Sequence, residues 1–282
     1  MTCPKKKGMD NKEVREYHTS TAWFFFTVDS VIYSKQSDYQ KIDVISNKSF
    51  GKILLLDGLI QTTEKDEFFY HEMLVHPACA TISSFQNTLI IGGGDGGSLK
   101  EILRYPVDSV CHVEIDAQVI EVGKEYFPWL SPYLEDKRVE LVIADGLEFL
   151  METERTFDIV FVDSSEPIGP SVSLHRRDFY ESLKKRLNRD EAVVVAQIGS
   201  PFFHLEFIRD CYAVFKDIFK TVRFYVGPVP TYPGGSWCYA YLSDTVDPLV
   251  LHREPPSGLR YYNRDTHRAA FALPPFMKEI IQ

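Results

Sequence analysis

The chain has 282 residues, 44% of them hydrophobic and 25% charged, and a formal net charge of −9. That much apolar side chain supplies a full core, which excludes a disordered protein, and the length allows one large domain or a large and a small one. The acidic balance argues against nucleic acid as a partner, because phosphate binding needs a basic surface.

In chain order, the first 20 or so residues are polar and read as a mobile tail. From Ala22 to Thr63 short alternating runs with Gly and Asp punctuation predict a small antiparallel β unit. A helix is expected from Lys65 to Ala80. Strands are then expected at 88–92, 110–115, 139–144, 157–163 and 191–197, with helices at 97–105, 117–127, 173–188 and 203–218. This alternation predicts a parallel sheet with right-handed crossovers. Two last strands, near 220–227 and 237–242, predict an antiparallel hairpin at one edge. The expected fold is α/β: residues 1–64 form a tail and small β domain, and residues 65–282 a Rossmann-like, methyltransferase-type catalytic domain. No apolar run approaches the roughly 18 residues needed to cross a bilayer, so no membrane partner is expected. The five cysteines are scattered without a CxxC pair, which fits idle thiols in the cytoplasm and no metal site.

The segment Thr88–Asp116, TLIIGGGDGGSLKEILRYPVDSVCHVEID, has the pattern of a nucleotide-binding β-α-β unit. Its glycines let the backbone approach a ligand, and Glu114 stands where an acidic side chain holds ribose hydroxyls. Asp95 inside the glycine loop would repel a pyrophosphate, so it suits a ligand that carries adenosine and positive charge. The other strand ends carry Asp145-Gly146, Asp163 and Gln197. Asp145 could equally cap the helix that follows it. In VDSSEPIGP, residues 162–170, Asp163 at a strand end could accept a proton from an amine, and Glu166 could hold a second positive group. The loop from Ser164 to about Leu174 is expected to cover the site.

The chain resembles the spermidine synthases of the aminopropyltransferase family. The resemblance rests on YQKIDV, LLLDGLIQTTEKDEFFYHEML, IIGGGDGGSLKEIL, VEID, ADGLEFL, DSSEPIGP, AQIGSPFFH, PTYPGG and YYNRDTHRAAFALP, which run in the family's order from about residue 39 to 275. It implies transfer of an aminopropyl group from decarboxylated S-adenosylmethionine, a co-substrate, to putrescine, with no cofactor. Residue by residue, it implies that Gln40 and Asp95 hold the aminopropyl end, Glu114 the ribose, and Asp145 and Gly146 the adenine, with Pro170 near it. Asp163 is implied as the proton acceptor. Tyr70, His71, Glu166, Gln197 and Tyr232 are implied to line the amine channel, and Trp23 to stand as an aromatic wall.

Two departures bear on the amine. Glu166 replaces the family's usual Asp, and Gly199 stands where many bacterial relatives carry Glu. Cadaverine or agmatine are the alternative acceptors. A methyltransferase using intact S-adenosylmethionine shares the sheet, but a substrate carboxylate would be repelled by Asp95, Asp163 and Glu166. The β unit before residue 64 has edges to cover, and the resemblance implies a homodimer or homotetramer.

Overall fold

The computed structural model describes residues 13–165, 169–188 and 191–281, without the side chains of residues 131, 169 and 170. β1 (Glu13–Tyr17) pairs antiparallel with β2 (Trp23–Thr27). The part of the expected polar tail from Glu13 to Tyr17 is therefore strand. Its alternation was hidden by composition: Val14 and Glu16 both point inward, and the Glu16 carboxylate accepts a hydrogen bond from the Ile60 amide. β3 (Ser30–Gln36), β4 (Lys41–Asn47), β5 (Gly51–Leu56) and β6 (Leu59–Thr63) follow as a four-stranded antiparallel sheet in that order. An Asp57-Gly58 turn joins β5 to β6, as expected of a two-residue hairpin loop. One face of this sheet packs Ile45, Ile53, Leu55 and Ile60 with Val14. The other packs Ile42, Val44 and Leu54 against Val119, Val122 and Phe127.

α1 (Glu67–Thr81) is buried on nearly every face, so it shows no amphipathic stripe. It contains Pro77, which has no N–H to give to the Met73 carbonyl one turn earlier. The hydroxyl of Tyr225 donates to that carbonyl instead, at 2.7 Å. Glu72 on the same helix is buried and accepts the backbone amides of Arg260, Tyr261 and Tyr262, which docks the C-terminal tail.

The chain then alternates: β7 (Asn87–Gly92), α2 (Gly97–Ile102), β8 (Ser109–Glu114), α3 (Ala117–Tyr126), α4 (Ser131–Leu134), β9 (Val139–Ile143), α5 (Gly146–Glu152) and β10 (Ile159–Asp163). After a 3₁₀ turn at Gly169–His175 come α6 (Arg177–Lys184), β11 (Val193–Gln197), α7 (Leu205–Ile218), β12 (Thr221–Pro228) and β13 (Ser236–Ser243). α8 (Arg264–Ala270) and α9 (Pro275–Lys278) close the described chain. The seven strands run in the order β12-β13-β11-β10-β7-β8-β9. β9, β8, β7, β10 and β11 are parallel, and β13 inserts antiparallel between β11 and β12. Alternate residues feed opposite faces: Ile90 joins one core, Leu89 and Ile91 the other.

The expected helix over 173–188 is shorter, for a visible reason. The Phe157 amide donates to Arg186 O and the Asn188 amide to Phe157 O, so the chain beyond 185 is drawn into a bridge beside the sheet. Strand order reverses between β7 and β10. That switch point opens a crevice beyond the carboxyl ends of the two strands, where ligands bind in such sheets.

Candidate active site

A cavity of about 860 Å³ occupies that crevice. β7 runs out into the glycine loop, β8 ends at Glu114, Asp145 follows β9, and β10 ends at Asp163. The small sheet closes the other side with Gln40, Leu54, Leu56 and Gln61, and α1 contributes Tyr70 and His71. Gly97 shows why the loop needs its last glycine. A Cβ there would lie 2.0 Å from the His71 ring, so only glycine lets α1 and α2 come together at this point.

Asp163 is buried, and each of its oxygens accepts one hydroxyl: Tyr70 donates to Oδ1 at 2.8 Å and Ser98 to Oδ2 at 2.5 Å. A carboxylate oxygen can accept two hydrogen bonds, so acceptor capacity remains toward the cavity. Burial and the neighbouring Asp163 hold the Tyr70 phenol far above its usual pKa, which keeps it a donor. Tyr232 is raised in the same way, by burial and then by Asp163. It donates to the Gln61 carbonyl and stands 5.6 Å, ring to ring, from Tyr70.

Glu114 accepts the Asp116 amide at 3.0 Å. Burial pushes its pKa up to about 7. Asp116 caps α3 and also accepts Ser37 Oγ at 2.6 Å and Gln40 Nε2 at 3.2 Å. Gln40 is thus tied to the end of β8, beside Glu114. Asp145 caps α5, its Oδ1 accepting the Leu147 and Glu148 amides at 2.8 and 3.1 Å, and it lines the cavity as well. Asp95 is buried, accepts the Gly97 amide at 2.9 Å, and lies 3.6 Å from His71 Nε2.

A family model described as "Spermine/spermidine synthase domain" matches residues 67–250, and one described as "Spermidine synthase tetramerisation domain" matches residues 14–64. The chain belongs to the spermine/spermidine synthase family. Among this family's curated members, the polyamine aminopropyltransferase of Moorella thermoacetica is 42% identical over 90% of this chain and 91% of its own. That of Caldicellulosiruptor saccharolyticus is 40% identical over 95% and 97%. The crystal structure of spermidine synthase from Thermotoga maritima superposes with a TM-score of 0.89 at 35% identity, covering 99% of this chain and 96% of that one. A spermidine synthase in complex with the transition state analogue AdoDATO gives the same score and identity.

The spermidine synthase fold here also holds a second, smaller cavity of about 310 Å³. Gln61, Tyr70, Ser164, Ser165 and Tyr232 border both cavities, so the two adjoin. Gln197 borders only the smaller one. Its Nε2 donates to the Ser164 and Ser165 carbonyls at 2.8 and 3.1 Å, and its Oε1 accepts Trp237 Nε1 at 3.0 Å. Gln197 therefore clamps the start of the loop after β10 while facing the cavity.

Of the residues singled out in the sequence, Gln40, Tyr70, His71, Asp95, Glu114, Asp145, Gly146, Asp163 and Tyr232 all border the larger cavity. Glu166 lies outside the described residues, and so does the side chain of Pro170. Residues 166–168 of the expected covering loop lie outside the described residues as well; from Gly169 it forms the 3₁₀ turn at Gly169–His175. Trp23 is a correction: it is about half exposed on β2, packs at a tilt against Tyr17 and borders neither cavity. The tryptophan in the wall is Trp237. Gly199 is a second correction. Its φ of +89° and a Cβ position 2.5 Å from His204 Nδ1 demand glycine for backbone reasons, and it borders neither cavity. The residue does not open room for a different amine. Glu16, Gln61, Ser98 and Trp237 were missed. Only Glu16 left a signal, by alternating with Val14 in EVREY.

Proposed function

We propose that the protein transfers the aminopropyl group of decarboxylated S-adenosylmethionine to putrescine, giving spermidine and methylthioadenosine. One observation carries this reading: Asp95, Glu114, Asp145 and Asp163 converge on a single cavity that adjoins a second one past Tyr70 and Tyr232. Four carboxyl groups around one space favour a ligand that carries positive charge. A decarboxylated ligand has an ammonium and a sulfonium and no carboxylate to be repelled. Glu114 would take the ribose hydroxyls and Asp145 with Gly146 the adenine edge. The aminopropyl end would meet Asp95, with Gln40 nearby.

The amine would lie across the Tyr70–Tyr232 wall, its far end toward Gln197. Asp163 would accept a proton from the attacking nitrogen, which then displaces the thioether: the new C–N bond forms as the C–S bond breaks. The Tyr70 and Ser98 hydroxyls would hold the carboxylate in place. The sulfonium carbon is already electrophilic, so we propose chemistry that needs no cofactor. In the same reading residues 65–282 are the catalytic unit and residues 1–64 a smaller domain that completes the nucleoside wall. The buried free thiols of Cys79, Cys111, Cys211 and Cys238 support a reducing compartment, the cytoplasm. No described helix is long and apolar enough to cross a membrane.

The test supplies decarboxylated S-adenosylmethionine with diamines of three, four and five carbons, and with agmatine, and identifies products by mass. Spermidine from the four-carbon diamine is the expected main product. A methylated product from intact S-adenosylmethionine would overturn the reading, and a preference for cadaverine or agmatine would replace the acceptor. We also propose a homodimer or homotetramer, supported by the exposed Trp23, Phe25 and Val31 on β2 and β3. Sedimentation of a stable monomer at micromolar concentration would contradict it.

A further inference from the structure

Asp95 is one end of a buried chain of charges. His71 Nε2 lies 3.6 Å from Asp95 Oδ2, and His71 Nδ1 lies 2.8 Å from Glu67 Oε2. Lys100 Nζ sits 2.6 Å from Glu67 Oε1 and 3.3 Å from Glu101 Oε1. The side chains of His71, Glu67 and Asp95 are all less than a tenth exposed, so solvent screens them little.

A neutral imidazole has one N–H, and here a carboxylate stands at each ring nitrogen. The doubly protonated ring serves both. Burial works against that charge, but Asp95, Glu67 and the more distant Asp163 outweigh it, and the His71 pKa rises to about 9. Burial raises Asp95 as well, and the charge on His71 is what pulls it back down, so the 3.6 Å contact holds the proton on the ring. The groups around the ring are Glu67 and Tyr70 on α1, Asp95 in the glycine loop, Lys100 on α2 acting through Glu67, and Asp163 at the end of β10. Against the pull of burial, His71 first and Lys100 second hold Glu67 below its usual pKa, so Glu67 stays ionised.

We propose that His71 is a charge place-holder: its imidazolium neutralises Asp95 in the empty cavity, and when a ligand ammonium reaches Asp95 the ring releases its Nε2 proton to solvent. Glu67 keeps the Nδ1 proton, which fixes the tautomer. The Nε2 lone pair is then turned toward the ammonium, so ligand and protein exchange one positive charge for another. The number of charges in the buried chain stays constant, and the ammonium gains a second acceptor besides Asp95. When the aminopropyl group has left, methylthioadenosine offers no ammonium, and His71 takes a proton back. This inference rests on the reading that the ligand is decarboxylated S-adenosylmethionine.

Calorimetry of the full chain at pH 7.5, in buffers of different ionisation enthalpy, counts the protons released on binding. Decarboxylated S-adenosylmethionine and methylthioadenosine are titrated side by side. Any proton that Glu114 loses to the ribose is common to both, so their difference isolates the ammonium. The expected difference is about one proton per site. In His71→Gln it falls to about zero, while an amide at this position still has donors and an acceptor to offer. Glu67→Gln, which removes one of the two carboxylates, gives an intermediate value. Equal proton counts for the two ligands with the parent protein would overturn the proposal and leave the proposed reaction standing. A difference unchanged in His71→Gln would do the same. Failure of the decarboxylated ligand to bind at all, with methylthioadenosine bound normally, would overturn both.

Discussion

The two adjoining cavities are built from different materials. The larger one presents four carboxylates, one from the glycine loop and three from the ends of β8, β9 and β10, and Asp163 among them keeps acceptor capacity toward the space they enclose. In the smaller one Glu16 is the single acid among the described lining residues. Its other walls are rings, hydroxyls and main-chain carbonyls, and their polar groups largely bond to one another, as Gln197 does to Trp237 and to the Ser164 and Ser165 carbonyls. The difference teaches where charge is used and where shape is used. A ligand with fixed cationic centres is met by carboxylates on rigid strands. A flexible chain is met by a slot whose walls are held in place by their own hydrogen bonds.

Substitutions that act on one cavity and spare the other test this division. Asp163 borders the larger cavity and holds Tyr70, which borders both, and it carries the largest expected effect. Asp163→Asn keeps the shape and removes the proton acceptor, so turnover should fall by about 100-fold or more. Methylthioadenosine should bind as before. If binding by calorimetry falls along with turnover, Asp163 belongs to the nucleoside cavity alone.

Glu114→Gln should act only on the larger cavity. We expect methylthioadenosine affinity to drop about tenfold, roughly the worth of one charge-assisted hydrogen bond. The same change has a pH signature. Burial raises the folded-state pKa of Glu114 to about 7 from the ordinary value of 4.5. The folded chain thus holds this proton more tightly than the unfolded one. The stability this contributes is complete below pH 4.5 and is lost as pH rises through 7. The ionised group then burdens the fold by on the order of 3 kcal/mol at pH 8. Glu114→Gln should be more stable than the parent at pH 8, and the gap should close toward pH 5. Denaturant curves showing the same gap at both values would refute the assignment.

The smallest effect is expected at Gln197. Gln197→Ala frees the Ser164 and Ser165 carbonyls and leaves the Trp237 N–H without its acceptor. The amine KM should rise several-fold, roughly the loss of one or two neutral hydrogen bonds, with nucleoside affinity unchanged. A nucleoside effect as large as the amine effect would erase the distinction between the cavities.

The chain disclosed the sheet and its strand ends because both are local. Apolar runs bounded by Gly and Asp fix the strands, and the residue after each run is where a parallel sheet opens. That is why Asp95, Glu114, Asp145 and Asp163 could be read in advance. What was hidden depends on residues far apart. Glu16 reads as one more charge in a polar tail until β6 offers it the Ile60 amide. Nothing near Trp237 distinguishes it from Trp23; only the insertion of β13 beside β11 brings it to Gln197. Gly199 looked like a missing carboxylate, whereas its φ and its contact with His204 answer to the backbone. The early end of α6 follows from the pairing of Arg186 and Asn188 with Phe157, which no helical pattern records.

The contact between Gly97 and His71 constrains how this lineage can vary. Two positions 26 residues apart occupy one small volume, with the missing side chain of one filled by the ring of the other. A methyl group at 97 is tolerated only after the side chain at 71 has become smaller or turned away, so the two substitutions must arise in a fixed order. In an aligned collection of relatives, a residue other than glycine at 97 should be accompanied by a loss of bulk at 71. The reverse need not hold, since a smaller residue at 71 leaves glycine at 97 unharmed. Such one-directional dependence would distinguish a shared volume from a shared chemical role, which would tie the two positions in both directions.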